Sequence, residues 1–523
     1  MFALLLVGWG GLALAQPLAG GVLKSFLYDD PPTFDLHAEA SLATLQATAG
    51  LYGRLVRPPE QPAGPPESYR PDLAIRWTVS ASGREVAFDL RREVFWHDRR
   101  PFGAADVIAT FDRILNPAFD SPRCGAMVRP LLREVVARGS HRAVFRLRFA
   151  TPALFPALAS GWCGIVAAHI LERDGNLASA ASQVGTGPFR LKAYRPGASV
   201  EWERNPGYYE AGQPVLAGVR LLVLPGLSRQ IAAALAGEID LWGGWPPIPR
   251  GRVPALRRKL DGHGRLVSAP RNIAWTVVFN TRRPPFDKPQ LRRAVSLALD
   301  RRELFAQAFA GEGSPCAILD PAIYGPYALP AAELETLPGC RYPKTDDLAE
   351  ARRLVAENHP RGLEIEVAVR LAGDYVRRSG LVAAALERIG IKSTIKAYES
   401  AAGYRAFRRG RFTLIAAQDA VVPVADPGAP FALLFGAGAL RNWGHWQDSI
   451  FHDLSQKALQ ARKREDRIAA YHEMQRYLLT EDTGAVIVGW LRHWGLRAAA
   501  VKNYRPGPTL FDRFDLRGVW LAR

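Results

Sequence analysis

Apolar and polar positions alternate along this chain in a mixed succession of short strands and helices. Phe189 and Leu191 alternate with Arg190 and Lys192, and Val200 and Trp202 alternate with Glu201 and Glu203. A period of two marks half-buried strands, and Pro196-Gly197 between the two runs reads as the turn of a hairpin. The same reading predicts strands over 22–28, 77–79, 86–90, 142–149, 216–223, 273–280, 363–371, 391–398, 412–417 and 484–491. Helical spacing appears in Leu42, Leu45 and Ala49 (39–51) and in Val107, Phe111 and Leu115 (104–115). Leu291, Val295, Leu299 and Phe305 form another apolar face, and helices are also predicted over 228–236, 375–389 and 466–480. The strand–helix–strand order of 363–398 predicts an α/β lobe. The run from Gln418 to Pro427 reads as a loop.

Composition narrows the class. At 523 residues the chain exceeds what one core supports, so several domains are expected. Hydrophobic residues make up 48% and charged residues 23%, which excludes a disordered chain. A net charge of +18 raises the question of a nucleic acid, an anionic membrane or an acidic ligand. The basic residues occur as pairs such as Arg352-Arg353, Arg377-Arg378 and Arg408-Arg409, separated by apolar runs. With no long basic block and no zinc-finger or aromatic–basic motif, a nucleic-acid partner is not expected. Met1–Ala15 reads as a signal peptide, a short apolar run ending in Ala13-Leu-Ala15, although no Lys or Arg precedes that run. No Cys follows it, so a lipid anchor is not expected and the mature protein is placed in the periplasm.

Export permits disulfides. Cys124, Cys163, Cys316 and Cys340 allow three pairings. Neighbours in sequence, Cys124 with Cys163 and Cys316 with Cys340, make the simplest pairing, with four free thiols as the alternative. The spacings fit no zinc site. His97 and Asp98 lack a converging nucleophile, and the chain has no GxSxG, HExxH, Walker A, GxGxxG or CxxC pattern. No catalytic residue, metal or cofactor is therefore expected.

Several stretches carry a family resemblance. The run Val184-Gly-Thr-Gly-Pro-Phe-Arg-Leu191 and the run Glu203-Arg-Asn-Pro-Gly-Tyr-Tyr209 frame the hairpin. They join PDLAIRW and FDLRREVFWHDRRPFGAADV within 71–115, GEID at 237–240 and PFDKPQLRRAVSLALDRRELFAQAFAGEGSP at 285–315. Together these resemble, in collinear order, the family 5 solute-binding proteins, the oligopeptide and dipeptide receptors of ABC importers. Arg99-Arg100 departs from the family pattern in one turn. So does Pro423, which stands where peptide-binding members carry the Asp that pairs with a peptide ammonium.

The resemblance implies an α/β, two-lobed periplasmic-binding-protein fold of the large class, with an extra inserted domain and lobes joined by a hinge. Its expected parts are 16–56, 183–272 and 493–523 as the core of lobe 1, 57–182 as the insertion and 273–492 as lobe 2. It implies a monomer that captures a peptide or other small solute between the lobes and delivers it to a membrane permease. An exported hydrolase using cleft Asp and His, or a transport-inactive sensor of the same fold, are the competing readings. Candidate ligand-binding residues are Tyr28, Trp242, Trp245, Trp275, Asp419, Asp426, Arg441, Trp443 and Trp446. The tryptophans are read as stacking surfaces, with core packing as the alternative, and Arg441 as a carboxylate partner. Trp242, Trp245, Trp275, Trp443 and Asp419 are expected to approach one cleft.

Overall fold

The computed structural model describes residues 20–60, 68–260, 262–371, 373–439, 441–509 and 511–522. The expected signal peptide lies outside them. The protein is a two-lobed α/β structure.

The first lobe is built on two four-stranded sheets. In one, the strand Val22–Leu27 lies parallel to Gly218–Val223, followed by the antiparallel pair Ser199–Arg204 and Phe189–Arg195. In the other, Ala74–Val79, Glu85–Leu90, Arg142–Leu147 and Leu132–Ala137 form an antiparallel sheet under the helix Ala104–Leu115. One continuous core joins them, with Phe88, Phe145 and Phe111 from the second sheet region and Trp202, Val219 and Leu23 from the first. The hairpin motif is the clasp between the two. Gly187 donates its amide to Leu51 O at 2.8 Å, and a Cβ at Gly187 would stand 2.5 Å from Gly50 O. Only glycine permits that backbone approach. His97 joins the same clasp: its Nδ1 accepts from Gly185 N–H at 3.1 Å and its Nε2 faces Gly187 O at 3.2 Å.

The second lobe is one mixed sheet in the order Leu241–Trp242, Ala485–Ala498, Gly264–Phe279, Leu414–Val421, Leu363–Leu371, Ile391–Glu399, with Ser314–Pro315 at the side. Helices cover both faces, which explains why Leu414–Val421 is buried along nearly its whole length. Two strands are much longer than their predicted forms. Gly264–Phe279 has 16 residues and Ala485–Ala498 has 14, and they pair antiparallel from Gly264 opposite Ala498 to Val278 opposite Ala485. Both run through the expected domain boundaries at 272 and 492 as one ribbon, bulged between Pro270 and Ala274. The tail then returns to the first lobe, where Val501, Tyr504 and Phe514 enter its core.

Two local expectations change, and the expected disulfide pairing is present. The strand predicted to end at 417 continues to Val421, so Asp419 is held on a strand and not on a loop. The apolar face from Leu291 to Phe305 is two helices, Pro289–Ala298 and Arg301–Phe309, because Asp300 caps the second by accepting from the Arg302 and Glu303 amides. Cys124 and Cys163 are bonded with Cα atoms 5.2 Å apart, as are Cys316 and Cys340 at 5.7 Å. Among the described residues no helix is long and apolar enough to cross a membrane.

Candidate functional site

The site begins from one strand pair. Trp275 on Gly264–Phe279 stands opposite Asp419 on Leu414–Val421. Trp275 is fully buried and its indole donates to Ala416 O at 3.1 Å, so it forms a fixed apolar floor. The helix Tyr375–Glu387 lays Arg378 over that floor, 5.2 Å from the Trp275 ring and 4.7 Å from Tyr375. Arg378 donates to Asp419 at 3.0 Å and to Asp374 at 2.9 Å. It is 1% exposed, and the Asp419 and Asp374 charges outweigh burial and raise its pKa.

Guanidinium groups and rings alternate outward from this pair. On one side Arg271 lies 4.5 Å over Trp245, and burial pushes it down to about 9 despite the nearby Asp419 charge. On the other side Arg370, at the end of Leu363–Leu371, lies 5.2 Å from Tyr375 and 3.8 Å from Tyr404. Arg441 follows, 5.2 Å from Tyr404 and 4.9 Å from Trp443. Burial raises the Tyr404 phenol, but Arg441 and Arg370 together outweigh it and hold the phenol below its usual range.

The first lobe faces this end of the row. Tyr28, just past the strand Val22–Leu27, lies near Tyr404, and its phenol is pushed up by burial and by Asp29. Arg123 lies near Arg441 and Tyr404, 5.4 Å over Trp162, with one N–H donated to Ala40 O at 3.2 Å. Burial first, then Arg441, brings Arg123 down to about 10. The disulfide Cys124–Cys163 is adjacent to both members of the Arg123–Trp162 stack. The arrangement is a junction between lobes lined by cations and flat rings, suited to hold a small polar solute by stacking and charge-assisted hydrogen bonds.

A separate crevice of 880 Å³ is lined by Tyr69, Pro270, Pro423 and Arg517, among others. In and beside it Arg57 pairs with Asp72 at 3.0 Å and with Glu210, and Arg517 pairs with Asp515, while burial raises the Asp512 carboxyl, which accepts from the Thr509 hydroxyl. Among the described residues no group of three His, Cys, Asp or Glu is placed to hold a metal.

The model of the bacterial extracellular solute-binding proteins, family 5 Middle, matches residues 68–440. The chain belongs to this family. It is 27% identical over 545 residues to the probable di/tripeptide-binding protein 5 of Pseudomonas aeruginosa, an alignment covering 98% of each chain. Among solved structures, it resembles the substrate-binding protein CtaP of Listeria monocytogenes, with a TM-score of 0.81, 20% identity, and 97% and 100% of the two chains covered. It also resembles the binding protein DppA of Helicobacter pylori, solved with the peptide STSA, with a TM-score of 0.78, 22% identity, and coverage of 97% and 99%.

Within this family 5 chain, Tyr28, Trp245, Trp275, Asp419, Arg441 and Trp443 belong to the row or its opposing wall. Three expected site residues lie elsewhere. Trp242 is fully buried against Phe26, ring centroids 5.0 Å apart, with its indole tied to Pro246 O at 2.7 Å. Trp446 packs against Phe435 and Phe451 and donates to Asp482 at 2.9 Å. Asp426 accepts from Gly428 N–H at 2.8 Å and from Arg467 at 2.7 Å, closing a turn and balancing a buried cation. Sequence reasoning missed Arg123, Arg271, Arg370, Arg378, Tyr375 and Tyr404. The paired arginines Arg377-Arg378 were visible, but which of the two points inward depends on the helix face. Arg378 is 1% exposed, while Arg377 lies at the surface.

Proposed function

We propose that this protein is the substrate-binding component of an ABC importer, working in the periplasm as a monomer after removal of Met1–Ala15. It captures a peptide or other small solute between its lobes and presents the closed form to a membrane permease. The lobes turn about the paired strands Gly264–Phe279 and Ala485–Ala498, which carry the chain from one lobe to the other. The observation that carries this reading is the meeting of Tyr28 and Arg123 from the first lobe with Tyr404 and Arg441 from the second. A solute at that junction touches both lobes, so binding favours the closed population and no covalent step is needed.

The test is native mass spectrometry of the freshly purified protein, followed by thermal shift with short peptides and small organic acids. A retained solute, or a Tm that rises with ligand concentration, supports the reading. Absence of any bound solute, absence of any shift, and turnover of a probe would overturn it in favour of an exported hydrolase.

A further inference from the structure

We infer that this cleft is built for a solute carrying two carboxylates, one seated against Arg271 and the other held between Arg123 and Arg441. The inference rests on the solute-binding reading and adds the substrate class.

The charge count along the row carries it. Five arginines stand along the row, each against an aromatic ring: Arg123, Arg271, Arg370, Arg378 and Arg441. Arg378 uses Asp419 and Asp374. Arg123, Arg271 and Arg441 form no ion pair with a described residue. Arg271 is 4% exposed, and its Nη2 is buried without a hydrogen-bond partner. Its neighbours include two further cations, Arg378 and Arg513, and the carboxylate it faces, Asp419, is already bonded to Arg378. A buried guanidinium left in that state is costly, and a ligand carboxylate is the group that relieves it.

The other end makes the same demand across the lobes. Arg123 belongs to the first lobe and Arg441 to the second, and the Arg441 charge adds to burial in lowering the pKa of Arg123. Arg123 Nε is buried without a partner. Glu39 is the carboxylate near this pair, and its oxygen Oε1 already accepts from the Ala40 and Ser41 amides at 2.6 and 2.8 Å. Closing the lobes therefore brings like charges together unless an anion enters between them. A carboxylate there turns the repulsion into a clamp from both sides, so the ligand's own charge becomes the latch of the closed state. Stacking of Arg441 between Tyr404 and Trp443, and of Arg271 on Trp245, holds each guanidinium flat for a planar carboxylate.

The test is isothermal titration of the full-length mature protein with three tripeptides of equal length. One has acidic first and third residues, the second is its amide isostere with an amidated C-terminus, and the third has lysine at both ends. The acidic peptide is expected to bind at least ~100-fold tighter than the amide isostere, since each lost charge-assisted contact is worth about tenfold or more. Raising NaCl from low to high concentration is expected to weaken the acidic peptide alone. Arg271→Gln and Arg441→Gln are each expected to weaken it ~10-fold or more and leave the amide isostere unchanged, while Arg441→Lys retains part of the affinity. Arg123→Gln provides the same readout from the other lobe should Arg271→Gln fail to fold. Equal binding of the acidic and amide peptides, or preference for lysine, overturns the inference and leaves the importer reading standing. So does a neutral or cationic solute retained from the host. No binding by any peptide, together with no retained solute, removes both.

Discussion

Replacing Asp419 by alanine is the sharpest test of how the second lobe is held together. Asp419 is 8% exposed and Arg378 1% exposed, with 3.0 Å between their bonded atoms. Removing the carboxylate leaves Arg378 with Asp374 alone, whose side chain is 38% exposed, and leaves Arg271 facing no carboxylate. Breaking a buried pair by deleting one partner costs about 3–5 kcal/mol, because the surviving charge stays out of water. For a unit the size of this lobe, ~200 residues, 1 kcal/mol lowers Tm by roughly 2–4 °C, so the variant is expected to melt about 10 °C lower. Urea unfolding followed by tryptophan fluorescence provides the free energy, and Trp275 beneath Arg378 is one of the reporting rings. The double variant Asp419→Leu, Arg378→Met removes both charges at similar volume, and is expected to recover a large part of the loss. A single variant within about 1 kcal/mol of the parent, or a double variant equal to the sum of its singles, would refute the claim that this pair is buried and mutually dependent.

Two further outcomes follow from charge and covalent structure. His37 is fully buried, with Nε2 facing Gly164 O at 3.0 Å, and burial and Arg113 bring its pKa down to about 4. The unfolded chain therefore binds this proton more readily, so the stabilisation is complete above pH ~6.5 and is lost as pH falls towards 4, about 3 kcal/mol in all. Melting curves from pH 7.5 to 4.5 are expected to be flatter for His37→Gln than for the parent, and parallel curves would contradict the assignment. Cys124–Cys163 closes a span of 39 positions, for which chain entropy predicts about 4 kcal/mol. Replacing both cysteines by alanine is expected to lower Tm and to weaken the acidic tripeptide, because the bridge anchors Arg123 against Trp162. Unchanged affinity would detach the disulfide from the site.

Much of the fold was legible because it is local. Alternation located the hairpin Phe189–Arg204, and helical spacing located Ala104–Leu115 with the same ends that the structure has. Strand length was less legible: the Arg-rich stretch after Leu491 hides that Ala485–Ala498 continues, since its edge positions carry charge. The loop expected at 418–421 failed for a related reason. Gln418 and Asp419 look like turn residues, yet both sit on a strand, where Gln418 donates to the adjacent Asp419 carbonyl and Asp419 accepts from Arg378 on the helix Tyr375–Glu387.

The sequence by itself determined the family and the periodic elements. These depend on residues adjacent or a few positions apart. Tertiary structure alone decided which aromatics meet the row of arginines. Trp242 and Trp245 differ by three positions, and so do Trp443 and Trp446, yet Trp245 and Trp443 each lie against an arginine while Trp242 packs on Phe26 and Trp446 on Phe451. Both roles bury an aromatic ring, so local pattern does not separate them. The row itself draws on residues 123, 271, 370, 378 and 441, which are far apart in the chain and come together only when two lobes and one sheet have formed.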